Sequence, residues 1–415
     1  MFDWYTGLGS NGRRTFWACF GGYALDAMDV QVYSFVVPAL VGLWGMTNTQ
    51  AGLLATVTLI LSAAGGWIAG LLADRLGRVR TLQITIAWFA VFTFLSGFTN
   101  SFDQLLVTRG LQGLGFGGEW AAGSVLMGEV IAARHRGKAV GLVQSSWAVG
   151  WGAAAILATL FFQFLPADIA WRALFFAGLL PAVTVFFIRR LVPETEIFTA
   201  AKAQETKGPG MLAIFSPRFI SITLRGCLLA LGAQGGYYAI TTWLPTFLRT
   251  ERHLSVLGSG GYLGVVIVGS FTGYVVSAYL NDGMGRRKTF LLFAVGSAAV
   301  VLGYTQIPIS DPLMLVLGFP LGFFASGIFA GMGALFTELY PTELRGSGQG
   351  FCYNSGRGLA ALFPALVGMA SAHMPLGEAI GLFAGGAYAL VIISALMLPE
   401  TRGRELQSLA TAETH

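Results

Sequence analysis

Charge is what this chain has least of. Only 11% of its 415 residues are Asp, Glu, Lys or Arg, less than half the share of an ordinary soluble domain, so a water-facing shell around a core cannot be built from it. Cysteine is scarce too. Cys19, Cys227 and Cys352 stand far apart in apolar runs, with neither the count of a disulfide framework nor metal-ligand spacing, and they read as packing residues. Histidine is limited to His135, His253, His373 and His415, none of them in mid-run, so a proton carried inside the apolar phase falls to carboxylates. Neither a Gly-x-x-x-x-Gly-Lys-Ser/Thr phosphate loop nor a His-Glu-x-x-His zinc motif occurs, which argues against ATP drive and zinc hydrolysis. No cofactor or metal is expected, and no catalytic set for an enzyme is visible.

What the chain has instead is hydrocarbon: 55% of its residues are hydrophobic. Apolar runs lie near residues 15–43, 51–73, 81–98, 103–131, 139–163 and 171–191, then near 219–248, 256–281, 289–306, 311–337, 347–371 and 376–398. About 20 helical residues cross a bilayer, so these read as twelve transmembrane helices of an all-α membrane protein. The first run carries two aspartates and is too long for a signal-peptide core. The net charge of +5 comes from short basic clusters between runs, where membrane topology accounts for it and nucleic acid is not needed. Of 25 Lys and Arg, 19 fall on one set of ends and only Arg172, Arg249 and Arg252 on the other. By the positive-inside rule both termini are expected in the cytoplasm.

The halves repeat. Asp74-Arg75-Leu76-Gly77-Arg78 returns 208 positions later as Asp282-Gly283-Met284-Gly285-Arg286. Glu129 with Arg136-Gly137 returns after 209 positions as Glu338 with Arg345-Gly346, and Pro193-Glu194-Thr195 after 206 as Pro399-Glu400-Thr401. The expected organisation is a six-helix bundle over 1–191, a cytoplasmic linker over 192–218, a second bundle over 219–398 and a tail over 399–415.

Ionisable groups inside the runs are costly and mark function. The acids are Asp26, Asp29 and Glu119; the bases are Arg109, Arg225 and Arg357. Asp26 and Asp29 share one face of the first span near its middle, where burial raises a carboxylate's proton affinity and a nearby arginine lowers it. Either can carry a proton, and Glu119 is a second titrating group or half of an inner ion pair. Arg357, about 15 Å into the eleventh span, is the leading candidate for an anionic substrate because a guanidinium grips a carboxylate with two parallel hydrogen bonds. Asn354 can add a donor, and Arg225 ranks behind as it can snorkel to the surface. Tyr33, Gln144, Trp147, Gln234, Tyr237 and Tyr238 complete a candidate cavity suited to a flat or amphipathic anion. Gly66-x-x-x-Gly70 and Gly113-x-x-x-Gly117 read as close helix contacts.

Taken together, Gly70, Asp74, Arg75, Gly77 and Arg78 resemble the signature of the major facilitator superfamily. The resemblance implies two six-helix bundles around a midplane site, and a conformational latch in which the Asp faces a helix amino end and the Arg residues meet acids. Gly283, in place of the first Arg, implies a weaker latch in the second half. Arg109 in Arg109-Gly110-Leu111-Gln112-Gly113 matches the family's membrane arginine and can partner Asp26 or Asp29, because spans 1 and 4 both line the cavity there. Asp26-Ala27-Met28-Asp29, Gly117-Gly118-Glu119-Trp120, Trp243-Leu244-Pro245 and Tyr353-Asn354-Ser355-Gly356-Arg357-Gly358 resemble the aromatic-acid:proton and sialate:proton symporters, with Ala27 where aromatic-acid members carry Gly. The implied function is proton-coupled symport of a small organic acid by a monomer in the bacterial inner membrane, its partners being the organic anion, protons and the lipid bilayer. A facilitator or antiporter for a sugar or drug-like molecule, or a non-transporting sensor, would share the fold.

Overall fold

A computed structural model describes residues 3–46, 48–179, 183, 192, 194, 199, 212–253 and 256–406. Fourteen α-helices run through these residues: α1 Asp3–Thr6, α2 Ser10–Trp44, α3 Asn48–Leu76, α4 Arg78–Ser96, α5 Phe102–Val130, α6 Arg136–Phe164, α7 Ala167–Ala177, α8 Ile220–Thr250, α9 Val256–Met284, α10 Arg286–Gln306, α11 Asp311–Leu339, α12 Arg345–Ala360, α13 Phe363–Ala370 and α14 Leu376–Met397. The first five expected spans become α2 to α6. The sixth opens with α7, and its continuation to residue 191 lies largely outside the described residues, as does most of the expected linker.

The eleventh expected span is two helices, not one. Pro364, in the first turn of α13, has no N–H to give the carbonyl of Ala360, and the chain turns at Ala361 and Leu362 before winding again. Seven described helices are long and apolar enough to cross a membrane, by length and composition. The helices that hold Asp29, Arg109, Arg225 and Arg357 (α2, α5, α8 and α12) are not among them. α12 falls short at 16 residues, and α2 and α5 include side chains outside the described set.

Within the first half α3 packs on α5 and α2 on α6; within the second, α9 packs on α11 and α8 on α14. The halves meet through α3 with α12 and through α6 with α9 and α11. Glycine sets these distances. A Cβ on Gly117 of α5 would sit 1.7 Å from the Ser62 carbonyl oxygen of α3, and one on Gly70 of α3 would sit 2.5 Å from the Gly346 carbonyl of α12. At Gly77 and Gly285 the reason is conformational: φ of 104° and 98° turns the chain sharply from α3 into α4 and from α9 into α10.

The α3–α5 contact therefore tests the packing directly. Gly117→Ala should cost about 1–3 kcal/mol, read as a lower midpoint of thermal unfolding in detergent. Gly264→Ala, where a Cβ would meet nothing within 4 Å, should leave that midpoint in place.

Candidate functional site

Three polar layers succeed one another from the middle of the bundle to the end where the basic loops gather. The first lies within one half. Residues 109 and 112 share a face of α5, being three apart, and both point at α2. Arg109 Nη1 donates to Asp29 Oδ2 at 3.0 Å, and Gln112 Nε2 donates to the same oxygen and to Thr93 Oγ1, the latter at 2.9 Å. The Arg109 guanidinium also stands 5.0 Å from the Tyr33 ring centroid and 5.8 Å from that of Phe175. The choice the sequence left open between two aspartates thus falls on Asp29; Asp26, one turn nearer the basic end, is likewise buried. Glu119 lies on α5, its side chain outside the described residues.

The second layer is aromatic. Arg357, 2% exposed, has its guanidinium carbon 4.6 Å from the Phe116 ring centroid and 4.9 Å from that of Tyr353. Tyr23 and Tyr238 are near enough to interact with its charge. Among the described residues no carboxylate pairs with it, and its Nε and Nη1 have no hydrogen-bond partner. Tyr353 in turn stacks on Trp120 from the other half, 3.5 Å between centroids and 15° between planes. The remaining candidates surround this stack: Trp120 Nε1 donates to Gln144 Oε1 at 2.7 Å, Gln234 Nε2 to the Tyr353 carbonyl at 2.8 Å, Tyr238 to Gln234 at 3.4 Å, and Trp147 Nε1 to the Tyr237 hydroxyl at 3.3 Å. The last bond also joins the halves.

Two candidates stand apart from this box. Asn354 gives its amide hydrogens to the carbonyls of Gly350 (3.0 Å) and Gly117 (3.4 Å), so the donor expected beside Arg357 serves the seam between helices. Arg225 donates to the Met397 carbonyl at the end of α14. Phe116 and Thr93 carry no sequence signal beyond their helix position. Gln112 was in view beside Arg109 but had no assigned part.

The third layer closes the basic end. Asp74 accepts from the amides of Gly346 (3.1 Å) and Ser347 (2.7 Å) and from the Ser347 hydroxyl (2.6 Å), across the amino end of α12. Asp282 accepts from the amides of Gly137 and Lys138, both at 2.9 Å, across the amino end of α6. Helix amino ends favour carboxylates. Behind them Glu129 is held by Arg78 (3.1 Å) and by Arg345 of the other half (2.8 Å); Glu338 is held by Arg286 (2.8 Å) and by Arg136 of the other half (3.0 Å). Glu194 and Glu400 accept from the first amides of α4 and α10. The two halves follow one plan without matching bond for bond: Asp74 takes the Ser347 hydroxyl in addition to its two amides, while Asp282 takes Arg286 at 2.9 Å where Arg78 stands 3.6 Å from Asp74.

A profile of the Major Facilitator Superfamily matches residues 19–309 and 263–414. A "Probable 4-methylmuconolactone transporter" of Cupriavidus pinatubonensis is 42% identical over 418 residues, 100% of this chain and 97% of that protein. The cis,cis-muconate transport protein of Acinetobacter baylyi is 28% identical over 395 residues, 92% of this chain and 94% of that protein. Among solved structures, the proton:xylose symporter XylE bound to 6-bromo-6-deoxy-D-glucose aligns with a TM-score of 0.83 at 19% identity, over 97% of this chain and 99% of that one, a likeness of fold.

Because each carboxylate spans a helix amino end across the halves, Asp74→Ala and Asp282→Ala should each destabilise the closed basic end, by about 1.5–3 kcal/mol for hydrogen bonds to a charged group. Thermal unfolding of the two variants side by side checks this. A loss confined to Asp74→Ala would bear out the weaker second latch implied by Gly283.

Proposed function

The chain belongs to the major facilitator superfamily and is a membrane transporter rather than an enzyme, and from that premise we propose that it carries a small organic acid inward together with protons, by alternating access. The observation that carries this reading is Arg357: a buried permanent charge between two aromatic faces, with two of its nitrogens unpartnered. A guanidinium so placed is incomplete until an anion arrives, and its aromatic surroundings favour a planar acid. The relatives named for muconate and methylmuconolactone support an unsaturated or aromatic acid over a neutral sugar.

Asp29 is the coupling carboxylate on this reading. Charged, it holds Arg109; protonated, it gives up that pair, so the proton changes what α2 and α5 hold between them. Arg109 acts through the same pair. The bundles over 1–191 and 219–398 are the bodies that rock, with 192–218 joining them and 399–415 as a tail. On this reading both termini and the latched end face the cytoplasm across a bacterial inner membrane, an orientation that the basic loops support. In this state the site is then shut from the cytoplasm by the paired Glu129 and Glu338. Substrate at Arg357 bears on the gate through Tyr353, because that ring both faces the guanidinium and stacks across the halves on Trp120. A ligand shifts the equilibrium only by such differences in contact between states.

Two measurements follow. Calorimetry with cis,cis-muconate as probe should show Arg357→Ala losing roughly 2–5 kcal/mol of binding. Arg357→Lys should lose most of it, since the ammonium keeps the charge without the fork, and muconamide should fail against the unaltered protein. Binding of the diamide as tight as that of the acid would move the carboxylate away from Arg357. In proteoliposomes, Asp29→Asn should abolish muconate accumulation driven by a pH gradient while retaining exchange across equal pH. Uphill accumulation by that variant would remove Asp29 from the coupling step.

A further inference from the structure

Gln112 touches the proposed coupling carboxylate and has one hydrogen-bonding atom too many. Both of its amide hydrogens are used, one on Asp29 Oδ2 and one on Thr93 Oγ1. Its Oε1 is buried and has no partner. The orientation is dictated by charge: a carboxylate only accepts, so the amide must turn its NH2 toward Asp29 and leave its oxygen idle.

Protonation inverts that demand. A neutral Asp29 acquires an O–H that needs an acceptor, and neither the Arg109 guanidinium nor an NH2 group can accept. The idle Oε1 can. Turning the terminal amide of Gln112 by about half a revolution, a motion within one soft side-chain torsion, brings Oε1 to where Nε2 now lies. There it takes the Asp29 proton in a hydrogen bond. It also takes one from Thr93, whose hydroxyl can donate as readily as it accepts. The amide makes two hydrogen bonds in either orientation.

We infer that Gln112 and Thr93 form a reversible hydrogen-bond relay that reads the protonation state of Asp29 and lets the site hold both states without rebuilding its backbone. Gln112 is a positioning residue in this scheme, and the inference rests on the reading of Asp29 as the proton carrier. Other charges do not supply the missing acceptor. On α2 itself the titratable neighbours are Asp26 and Tyr33, a turn away on either side. On α5 it is Arg109, with the Glu119 side chain outside the described residues. α6 carries no charge between Lys138 and its end, while α3 and α4 carry theirs only at the basic end. On α7, Asp168 lies in the first turn and Arg172 is tied to the carbonyls of Gly97 and Thr99.

Infrared titration of the purified full chain in lipid needs no substrate and reads the carboxyl directly. The Asp29→Asn difference spectrum identifies the Asp29 band and its midpoint. Gln112→Met should raise that midpoint by about one pH unit, because the charged form loses a stronger hydrogen bond than the neutral form does. Thr93→Val should move it in the same direction and Thr93→Ser should restore it. In the unaltered protein a side-chain amide band should change with the same midpoint and vanish in Gln112→Met. If Asp29 titrates but its midpoint ignores both Gln112→Met and Thr93→Val, the relay is wrong and the coupling site stands. If no Asp29 band titrates, the coupling assignment fails and the relay goes with it.

Discussion

The structure depends on one constraint: a guanidinium taken out of water must be given back negative charge or hydrogen bonds. Arg78, Arg136, Arg286 and Arg345 are each almost fully buried, and they share two glutamates between them. Arg109 has Asp29. Arg357 is held between rings instead, with no carboxylate among the described residues. The chain is poor in charge and has put its few charges where each needs a partner, and on the proposed reading the partner of Arg357 is an anion from outside.

The glutamate pairs also explain why the basic end would behave as a switch. Each glutamate takes one arginine from its own half and one from the other, so parting the halves strips Arg345 from Glu129 and Arg136 from Glu338 together. Segments beyond the helices join the same network. Thr401 donates to Glu338 at 2.6 Å, and the Arg404 carbonyl accepts from Arg136 at 2.9 Å. The residues just past α14 are therefore fastened across the halves. The 310 turn Ala213–Phe215 before α8 is fastened too, by Thr223 donating to the Ile214 carbonyl at 2.8 Å. On the proposed alternating access, an opening motion has to part these cross-half pairs together.

Much of this was legible in the sequence because it follows from local rules. Apolar run length gives the helices, the repeat of Asp74 as Asp282 and of Glu129 as Glu338 gives the pseudo-symmetry, and mid-run charge gives Asp29, Arg109 and Arg357. What was not legible is set by register between distant helices. Which aspartate meets Arg109 depends on how α5 sits against α2, a register seen in contacts such as Cys19 on the Gly123 carbonyl. Phe116 and Thr93 look like any other helix residues until the fold brings them to Arg357 and Gln112. Asn354 follows the same rule: its neighbour in space is the carbonyl of Gly117, 237 positions away. The break at Pro364 was in the sequence, but apolar content alone ran the span through it.

Symport requires the acid and the proton to cross together. The direct measurement is simultaneous recording of labelled cis,cis-muconate uptake and external pH in sealed proteoliposomes, with the membrane potential clamped at zero and no pH gradient imposed. Symport predicts that adding muconate outside alkalinises the medium in step with uptake. Muconate entry with no accompanying proton movement would contradict it.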